Sequence, residues 1–410
     1  MSDVAVMTGE SADTGASLGR LVRGIAVPVL AVFTAVLIGA VIIIVASAFS
    51  SEAPTLAERL RSGWDTALRA YGGLLDGAFG DAGGLVRTLV KMTPLVFSGL
   101  AVAFAFKGGL FNIGAQGQLV IGSVTSAWVG FALHVDLGEA VLSTIVHVGL
   151  ALLAGFLGGA LWGAIPGVLK AYTGAHEVIT TIMFNFIASN LISWLLNAGA
   201  PGEGIPPGPL NDGNGVIART PEVLESARLP VIFDPPGPQA LHLGFFLSIV
   251  AAVVVLLLIT RTTFGFELRM VGLNPSAARY SGINVRRITI LTMVIAGGLA
   301  GLSGATQTLG VNYRYEPNQS LGLGFDAITV ALLAGNNPLG VLLSGFLFGA
   351  MDAGSTRMQF NSGVPSEIIL VVQALILMFV AADQIVRMIY RIRGEGGIGQ
   401  VLSTGWGQRQ

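Results

Sequence analysis

Long apolar runs separated by polar connections occupy most of the chain. The runs lie at residues 25–49, 88–106, 113–133, 142–169, 176–197, 241–260, 288–310, 323–335, 339–356 and 366–388. An α-helix needs about 20 apolar residues to cross a bilayer, and the run at 323–335 falls short of that. The pattern predicts an all-α polytopic membrane protein with about ten transmembrane helices, of which one or two are broken or re-entrant.

Composition supports a membrane protein and narrows its chemistry. The 410 residues are 53% hydrophobic and 11% charged, whereas soluble domains carry about 25% charged residues. No cysteine is present, which excludes disulfides and thiolate-bound metals, and the four histidines are scattered without the spacing of metal ligands. We therefore predict no metal site.

Charge is distributed unevenly between two long connections. Residues 261–287 hold five arginines and one glutamate, whereas residues 198–240 hold five acidic residues and two arginines. The positive-inside rule places the first connection in the cytoplasm and the second outside. Arginines also flank both ends of the apolar region, so both termini are predicted to be cytoplasmic. We divide the chain into an N-terminal tail (1–23), one transmembrane domain (24–388) and a C-terminal tail (389–410).

Two predicted outer segments carry patterns of their own. In segment 51–87, apolar residues recur at steps of three and four and predict an amphipathic helix: Leu56, Leu60, Trp64, Leu68, Tyr71 and Leu75. This helix either lies in the membrane interface on the outer side or packs against the bundle. Residues 201–238 contain nine of the 17 prolines, which predicts an irregular connection that either docks an extracytoplasmic partner or only joins two helices.

Amide side chains interrupt the apolar pattern near residue 115. Residues 107–122 read KGGLFNIGAQGQLVIG and carry Asn112, Gln116 and Gln118. Polar groups left unpaired in hydrocarbon cost several kcal/mol each, so such a segment must be buried in protein or line a wet cavity. We predict that these three residues lie along a translocation pathway.

A second interruption lies in the other half of the chain. Segment 321–338 carries Asp326 and Asn336 among glycines and apolar residues. Paired interruptions in the two halves point to a central binding site in transporters. Both residues are therefore added to the predicted pathway.

The apolar run that begins near residue 176 has a polar residue at every fourth position. Glu177, Thr181, Asn185 and Ser189 begin this stripe, and Ser193 and Asn197 continue it. Steps of four keep these side chains on one face of a helix. They either form interhelical hydrogen bonds, worth about 0.6 kcal/mol each, or line the pathway, which is the function we assign to the first four.

The arginine-rich connection 261–287 contains a short helix signal. Asn274 and Pro275 suit the cap and first residue of a helix, and Gly282 is its predicted end. A short basic helix on the cytoplasmic side suits docking to a cytosolic protein, although positive charge is also retained there for topology alone.

Catalytic motifs are missing from the sequence. None of the three lysines lies in a phosphate-binding Gly-rich loop, and no Ser/His/Asp set or HExxH motif can be assembled. Uphill transport would need a partner or an ion gradient. The chain is therefore a transporter subunit driven by a partner, an ion-coupled transporter using Asp326 and Glu177, or, as the weakest alternative, a membrane enzyme.

Four stretches, in chain order, resemble the permease subunits of bacterial ABC importers for simple sugars, nucleosides and branched-chain amino acids. They are GLFNIGAQGQ at 109–118, HEVITTIMFNFIA at 176–188, GFELRMVGLNPSAARYSGIN at 265–284 and FDAITVALLAGNNPLGV at 325–341. The first is most similar to the nucleoside-type branch, which works with a basic membrane lipoprotein.

The resemblance implies a function and a set of partners. The chain would form the path for a nucleoside or simple-sugar-like solute in the bacterial cell membrane. It would work with a second homologous permease subunit, a cytosolic ABC ATPase with two nucleotide-binding domains and an extracytoplasmic substrate-binding lipoprotein. ATP and Mg would be bound by the ATPase, so no cofactor and no nucleic acid is expected on this chain.

The resemblance also assigns a coupling role to residues 265–284, which are similar to the helix that sits in a cleft of the ATPase. The residues implied in coupling are Gly265, Glu267, Arg269, Asn274, Pro275, Ala278, Arg279 and Gly282.

Overall fold

The protein is mostly helical. The computed structural model describes residues 14–199, 206–213, 217–236, 239–317, 319 and 322–390. The first seven helices are α1 (Thr14–Ser50), α2 (Leu56–Phe79), α3 (Ala82–Lys107), α4 (Ala115–Ala132), α5 (Ala140–Thr173), α6 (Glu177–Leu195) and α7 (Gly244–Arg261). The other seven are α8 (Thr263–Leu273), α9 (Pro275–Tyr280), α10 (Val285–Gln307), α11 (Leu323–Leu333), α12 (Pro338–Ser362), α13 (Ile368–Ala381) and α14 (Asp383–Ile389).

Seven helices of the described chain are long and apolar enough to cross a membrane: α1, α3, α5, α6, α7, α10 and α12. Helices α11 and α13 are apolar but have only 11 and 14 residues, and α4 carries two glutamines in its first turn. The short run near residue 323 thus forms a helix of 11 residues, and a broken or re-entrant span there stays a prediction. The total of ten spans and the orientation of the termini stay predictions.

The division into two tails and one transmembrane domain stays a prediction. Helix α1 begins at Thr14, inside the predicted N-terminal tail, and helix α14 ends at Ile389. The remainder of the predicted tails, residues 1–13 and 391–410, lies outside the described residues.

Glycines bring α4, α5 and α10 into direct backbone contact. A Cβ atom on Gly301 of α10 would lie 2.1 Å from the carbonyl oxygen of Gly155 on α5, and a Cβ on Gly122 of α4 would lie 2.3 Å from the Cα of Gly301. Only hydrogen side chains allow this approach, which is how membrane helices gain van der Waals contact without a hydrophobic driving force. These three helices and the largely buried α3 form the centre of the bundle.

Helix α2 agrees with the alternative in which the amphipathic segment packs against the bundle, whereas its place in the membrane interface stays a prediction. It packs against α1 and α12 through small residues: Gly63, Ala67, Ala70, Gly73 and Gly77. Most of the predicted apolar stripe faces away from the bundle and is exposed, including Leu56, Leu60, Trp64, Leu68 and Leu75. The small face therefore makes the packing contact, while the exposed apolar face suits a membrane interface.

The predicted irregular connection 198–240 is partly ordered against the bundle. It contains a 3-10 turn at Glu225–Ala227, and strand β1 (Val231–Phe233) pairs antiparallel with β2 (Leu241–His242). Backbone hydrogen bonds join Leu224 to Gly130 and Leu229 to Leu309. The connection therefore covers the ends of α4 and α10 at one end of the molecule.

The predicted loop 261–287 consists of two helices. Helix α9 begins at Pro275, and the side chain of Asn274 accepts hydrogen bonds from the amides of Ser276 and Ala277, as predicted. Gly282 follows the helix with φ +81°, a left-handed conformation that favours glycine. Helix α8 was not predicted; the hydroxyl of Thr262 caps its first turn.

Candidate functional site

A non-helical break separates α3 from α4 within the bundle. Residues 108–114 leave the helical path, and Gly109 has φ +71°. A Cβ on Gly109 would meet the backbone of Gly272 in α8 at 3.0 Å, so the break lies directly on the coupling segment. Backbone groups in such a break lack helical partners and need others.

Asn112 and Gln118 meet part of this need by pairing with each other. The Asn112 Nδ2 donates to Gln118 Oε1 at 2.8 Å, and the Gln118 Nε2 donates back to Asn112 Oδ1 at 3.2 Å. The same Asn112 oxygen accepts the amide of Gly114 at 3.1 Å. Both side chains are fully buried, so in this conformation they stabilise the break and do not face an open channel.

Asn185 connects α6 to the break. Its Nδ2 donates to the carbonyl of Ile113 at 2.9 Å, and its Oδ1 accepts the amide of Gly117 at 2.8 Å. One side chain thus satisfies a donor and an acceptor that the break leaves open. Thr181, one turn earlier, is buried, and its hydroxyl donates to the carbonyl of Glu177 at 2.7 Å.

Gln116 connects the first interruption to the second. Its Oε1 accepts the amide of Gly324 at 2.8 Å, and Gly324 lies in the first turn of α11. A Cβ on Gly324 would lie 2.4 Å from the backbone nitrogen of Gln116, so the two helix starts touch. We refer to Asn112, Gln116, Gln118, Asn185 and Gly324 as the break cluster.

The remaining predicted pathway residues lie at different places. Asp326 is half-buried on α11, close to the break cluster, whereas Asn336 follows the opposite end of that helix with φ +56°. Glu177 forms an ion pair with Lys170 at 2.7 Å across the α5–α6 connection. Ser189 is exposed on the outward face of α6. The structure therefore brings together only part of the predicted set.

Sequence reasoning missed an ion pair between two spans. The Nζ of Lys91 on α3 lies 3.1 Å from the Oδ2 of Asp352 on α12. Both residues stand inside apolar runs, at 88–106 and 339–356, and an isolated charge in such a run was the available signal.

The residues implied in ATPase coupling divide into two groups. Gly265 and Ala278 are buried and hold α8 and α9 against the bundle. The other residues are exposed or half-buried: Glu267, Arg269, Asn274, Pro275, Arg279 and Gly282. Large apolar side chains stand beside them, with Tyr280 96% and Leu273 80% exposed. We call residues 265–284 as a whole the coupling surface.

A charged network lies at the opposite end of the bundle. Arg219 pairs with Asp212 at 2.7 Å, and Glu222 accepts from both Arg228 and Arg314. The guanidinium of Arg228 also lies 4.5 Å from the centre of the Tyr313 ring. These contacts fix the described part of the 198–240 connection to the segment after α10.

His242 is buried just before α7. Its Nδ1 accepts the amide of Gly244 at 3.2 Å, and Gly310 packs against its ring. Its Nε2 has no hydrogen-bond partner among the described residues. Burial lowers the pKa of His242 from 6.5 to about 4, because the charged form loses hydration there.

Comparison with known proteins identifies the family. Residues 84–381 match the family described as the permease component of the branched-chain amino acid transport system. The chain belongs to this permease family. With its apolar helices and ABC permease relatives, it is a multi-pass protein of the bacterial plasma membrane.

Three relatives match most of the chain. The guanosine ABC transporter permease protein NupP of Bacillus subtilis is 40% identical, and the match covers 80% of this chain and 90% of the relative. The nucleoside ABC transporter permease protein NupB of Lactococcus lactis is 34% identical, covering 89% and 93%. A glucose ABC transporter permease protein of Haloferax volcanii is 31% identical, covering 79% and 82%. No solved structure matches.

The two bacterial relatives occur with second permease proteins. This chain is also similar to NupQ of Bacillus subtilis, at 25% identity, and to NupC of Lactococcus lactis, at 28%. Systems of these relatives therefore have paired permease subunits.

Proposed function

We propose that this chain is the transmembrane permease subunit of an ATP-driven importer of nucleosides. It passes the solute through the region of the break cluster, together with a second permease of similar fold. The names of the guanosine and nucleoside relatives support this solute class. The observation that carries the proposal is the contact between Gln116 and Gly324, where two interrupted helices meet inside an apolar bundle.

Movement is driven from the coupling surface. ATP and Mg bind to a cytosolic ATPase with two nucleotide-binding domains, and closure of its dimer pushes on α8 and α9. Gly109 at the break packs closely on Gly272 of α8, because a Cβ atom added to Gly109 would lie only 3.0 Å from the Cα of Gly272. A displacement of α8 therefore reaches the break cluster through direct backbone contact. An extracytoplasmic lipoprotein delivers the solute to the opposite end.

One other solute and one other energy source are alternatives to this proposal. The Haloferax relative is named for glucose, which supports a sugar as the second candidate. Asp326 near the break cluster is the residue that an ion-coupled transporter working alone would use, whereas Glu177 is already paired with Lys170.

Uptake by the reconstituted complex distinguishes these candidates. Proteoliposomes containing the chain, its companion permease and the ATPase are supplied with the lipoprotein and tritiated guanosine, uridine or glucose. We expect ATP-dependent accumulation of the two nucleosides and no accumulation of glucose. Accumulation by the chain alone under a proton or sodium gradient would overturn the proposal, and ATP-driven uptake of glucose alone would replace its solute.

A further inference from the structure

Helix α6 carries polar side chains on the face that points away from the bundle. Ser189, Asn190 and Ser193 are all exposed there. The Nδ2 of Asn190 donates to the carbonyl of Phe186, and the hydroxyl of Ser193 donates to the carbonyl of Ser189, each at 2.8 Å and within the same helix. An asparagine side chain has a second N–H and an acceptor oxygen besides, so Asn190 can also bond to a neighbouring molecule.

The depth of these residues excludes an ordinary lipid contact. Helix α6 has 19 residues, which gives it a length of ~28 Å, close to the ~30 Å thickness of the hydrocarbon core. Four of the five residues that follow Asn190 in the helix are apolar. Polar side chains at such a depth face other helices or a wet cavity, because lipid tails cannot form hydrogen bonds with them.

Two other apolar helices show what a lipid-facing surface of this chain looks like. The exposed side chains of α5 between residues 141 and 168 are all aliphatic: Val141, Leu142, Ile145, Leu150, Leu153, Leu157, Leu161, Ile165 and Val168. Those of α7 between residues 244 and 259 are equally apolar: Phe246, Val250, Val253, Val254 and Leu257. The outward face of α6 differs from both because it mixes amide and hydroxyl groups with large apolar side chains.

The outward face of α6 also has a shape that suits helix packing. A shallow open groove runs along it between two rows of side chains spaced four residues apart. One row is Phe186, Asn190 and Trp194, and the other is Met183, Ile187 and Leu191. Such rows are the ridges between which a ridge of a second helix packs. Only 17% of the apolar segment of α6 is buried within the chain, against 28% or more in the other six apolar helices.

One of the proposed partners can reach this face. The ATPase is cytosolic and the lipoprotein is extracytoplasmic, whereas the companion permease lies in the bilayer. This chain is similar to both members of two permease pairs, including NupQ at 25% and NupC at 28% identity, so a companion of this fold has apolar helices of its own. We infer that the outward face of α6 binds the companion permease, with Asn190 hydrogen-bonded across the interface. The inference rests on the proposed function for the existence of the companion.

Photo-crosslinking in the assembled complex tests which face binds the companion. The photoreactive residue p-benzoylphenylalanine replaces Met183, Ile187 or Trp194 on α6, and Leu157 on α5 or Val254 on α7 as matched controls with similar exposure. Illumination of membranes should join the chain to the companion permease from the three α6 positions, with at least fivefold higher yield than from the controls. Equal yields at all five positions, or α6 adducts with lipid or with a second copy of this chain alone, would overturn the inference.

Added volume on the same face provides a second test. Asn190→Trp should lower the amount of companion recovered with the tagged chain at least fivefold, because the larger side chain fills the groove. Leu157→Trp on the aliphatic face of α5 is the control and should keep full recovery. Undiminished recovery with Asn190→Trp would contradict the inference. If no second permease is recovered with the wild-type chain, the proposed function fails; if one is recovered but crosslinks only through other faces, this inference alone fails.

Discussion

The break cluster and the coupling surface differ in how their side chains are satisfied: those of the first are hydrogen-bonded within the chain, whereas those of the second are exposed. In the break cluster, Asn112 and Gln118 bind each other, and Asn185 and Gln116 bind backbone groups. On the coupling surface, large apolar side chains stand uncovered. Buried polar groups need internal partners, whereas exposed apolar patches mark contacts with other molecules. The polar groups of the first region are paired within this chain, whereas the second region is where we propose that another protein binds.

The largest effect is expected from adding volume inside the break cluster. Gly324→Val would place its Cβ 2.4 Å from the Gln116 nitrogen, and such overpacking should lower the free energy of unfolding by about 3 kcal/mol. Thermal unfolding in detergent measures the loss. Gly149→Val on α5, where nothing lies within 4 Å of the added Cβ, should change little. Equal melting temperatures for both variants would contradict close contact at this site.

His242 extends this comparison to a buried polar residue whose Nε2 has no hydrogen-bond partner in the described part of the chain. Its pKa of about 4 in the folded protein, against 6.5 when unfolded, means that the unfolded chain binds more protons between these values. Stability should therefore fall as pH drops from 6.5 to 4, by roughly 3 kcal/mol in total. The melting temperature measured across this range checks the prediction.

Substitution of His242 isolates its contribution to this pH dependence. His242→Gln should flatten the profile between pH 6.5 and 4, whereas His134→Gln, which changes an exposed histidine, should leave it intact. An unchanged profile in His242→Gln would assign the acid sensitivity to other groups.

Asn185 tests whether the polar stripe of α6 holds the break. Asn185→Ala leaves the Gly117 amide and the Ile113 carbonyl without this partner, which should cost about 1–3 kcal/mol of stability. Asn190→Ala is the matched control, because that exposed side chain bonds only to its own helix at Phe186. Chemical unfolding of both variants gives the difference in stability. A larger loss in Asn190→Ala than in Asn185→Ala would show that Asn185 does not hold the break.

Local signals in the sequence predicted local structure well. Asn274 and Pro275 specified the start of α9, and Gly282 lies just past its end, as expected. The idea that the two interrupted segments lie together also agrees with the Gln116–Gly324 contact. The roles of these residues in transport stay predictions.

The pairing of individual side chains could not be predicted from the pattern. Nothing in the spacing of Asn112 and Gln118 shows that they bind each other, because a tight turn at Gly114 brings them together. The stripe of Leu56 and Trp64 left open whether α2 lies in the membrane interface or packs against the bundle, and small residues make the packing contact that the structure shows. Close backbone approach in membranes favours glycine and alanine, so apolar periodicity alone does not show which face packs.

The smallest effect on stability, and a specific effect on function, is expected at the coupling surface. Tyr280→Ala removes a ring that is 96% exposed, so the isolated chain should melt at the same temperature. ATP-driven guanosine uptake should fall at least tenfold, about 1.4 kcal/mol of coupling, while ATP hydrolysis continues. Phe360→Ala, an equally exposed aromatic near the end of α12, is the control and should keep normal uptake. Replacing Glu267 and Arg279 together should uncouple in the same way; full uptake in both cases would show that the ATPase binds elsewhere.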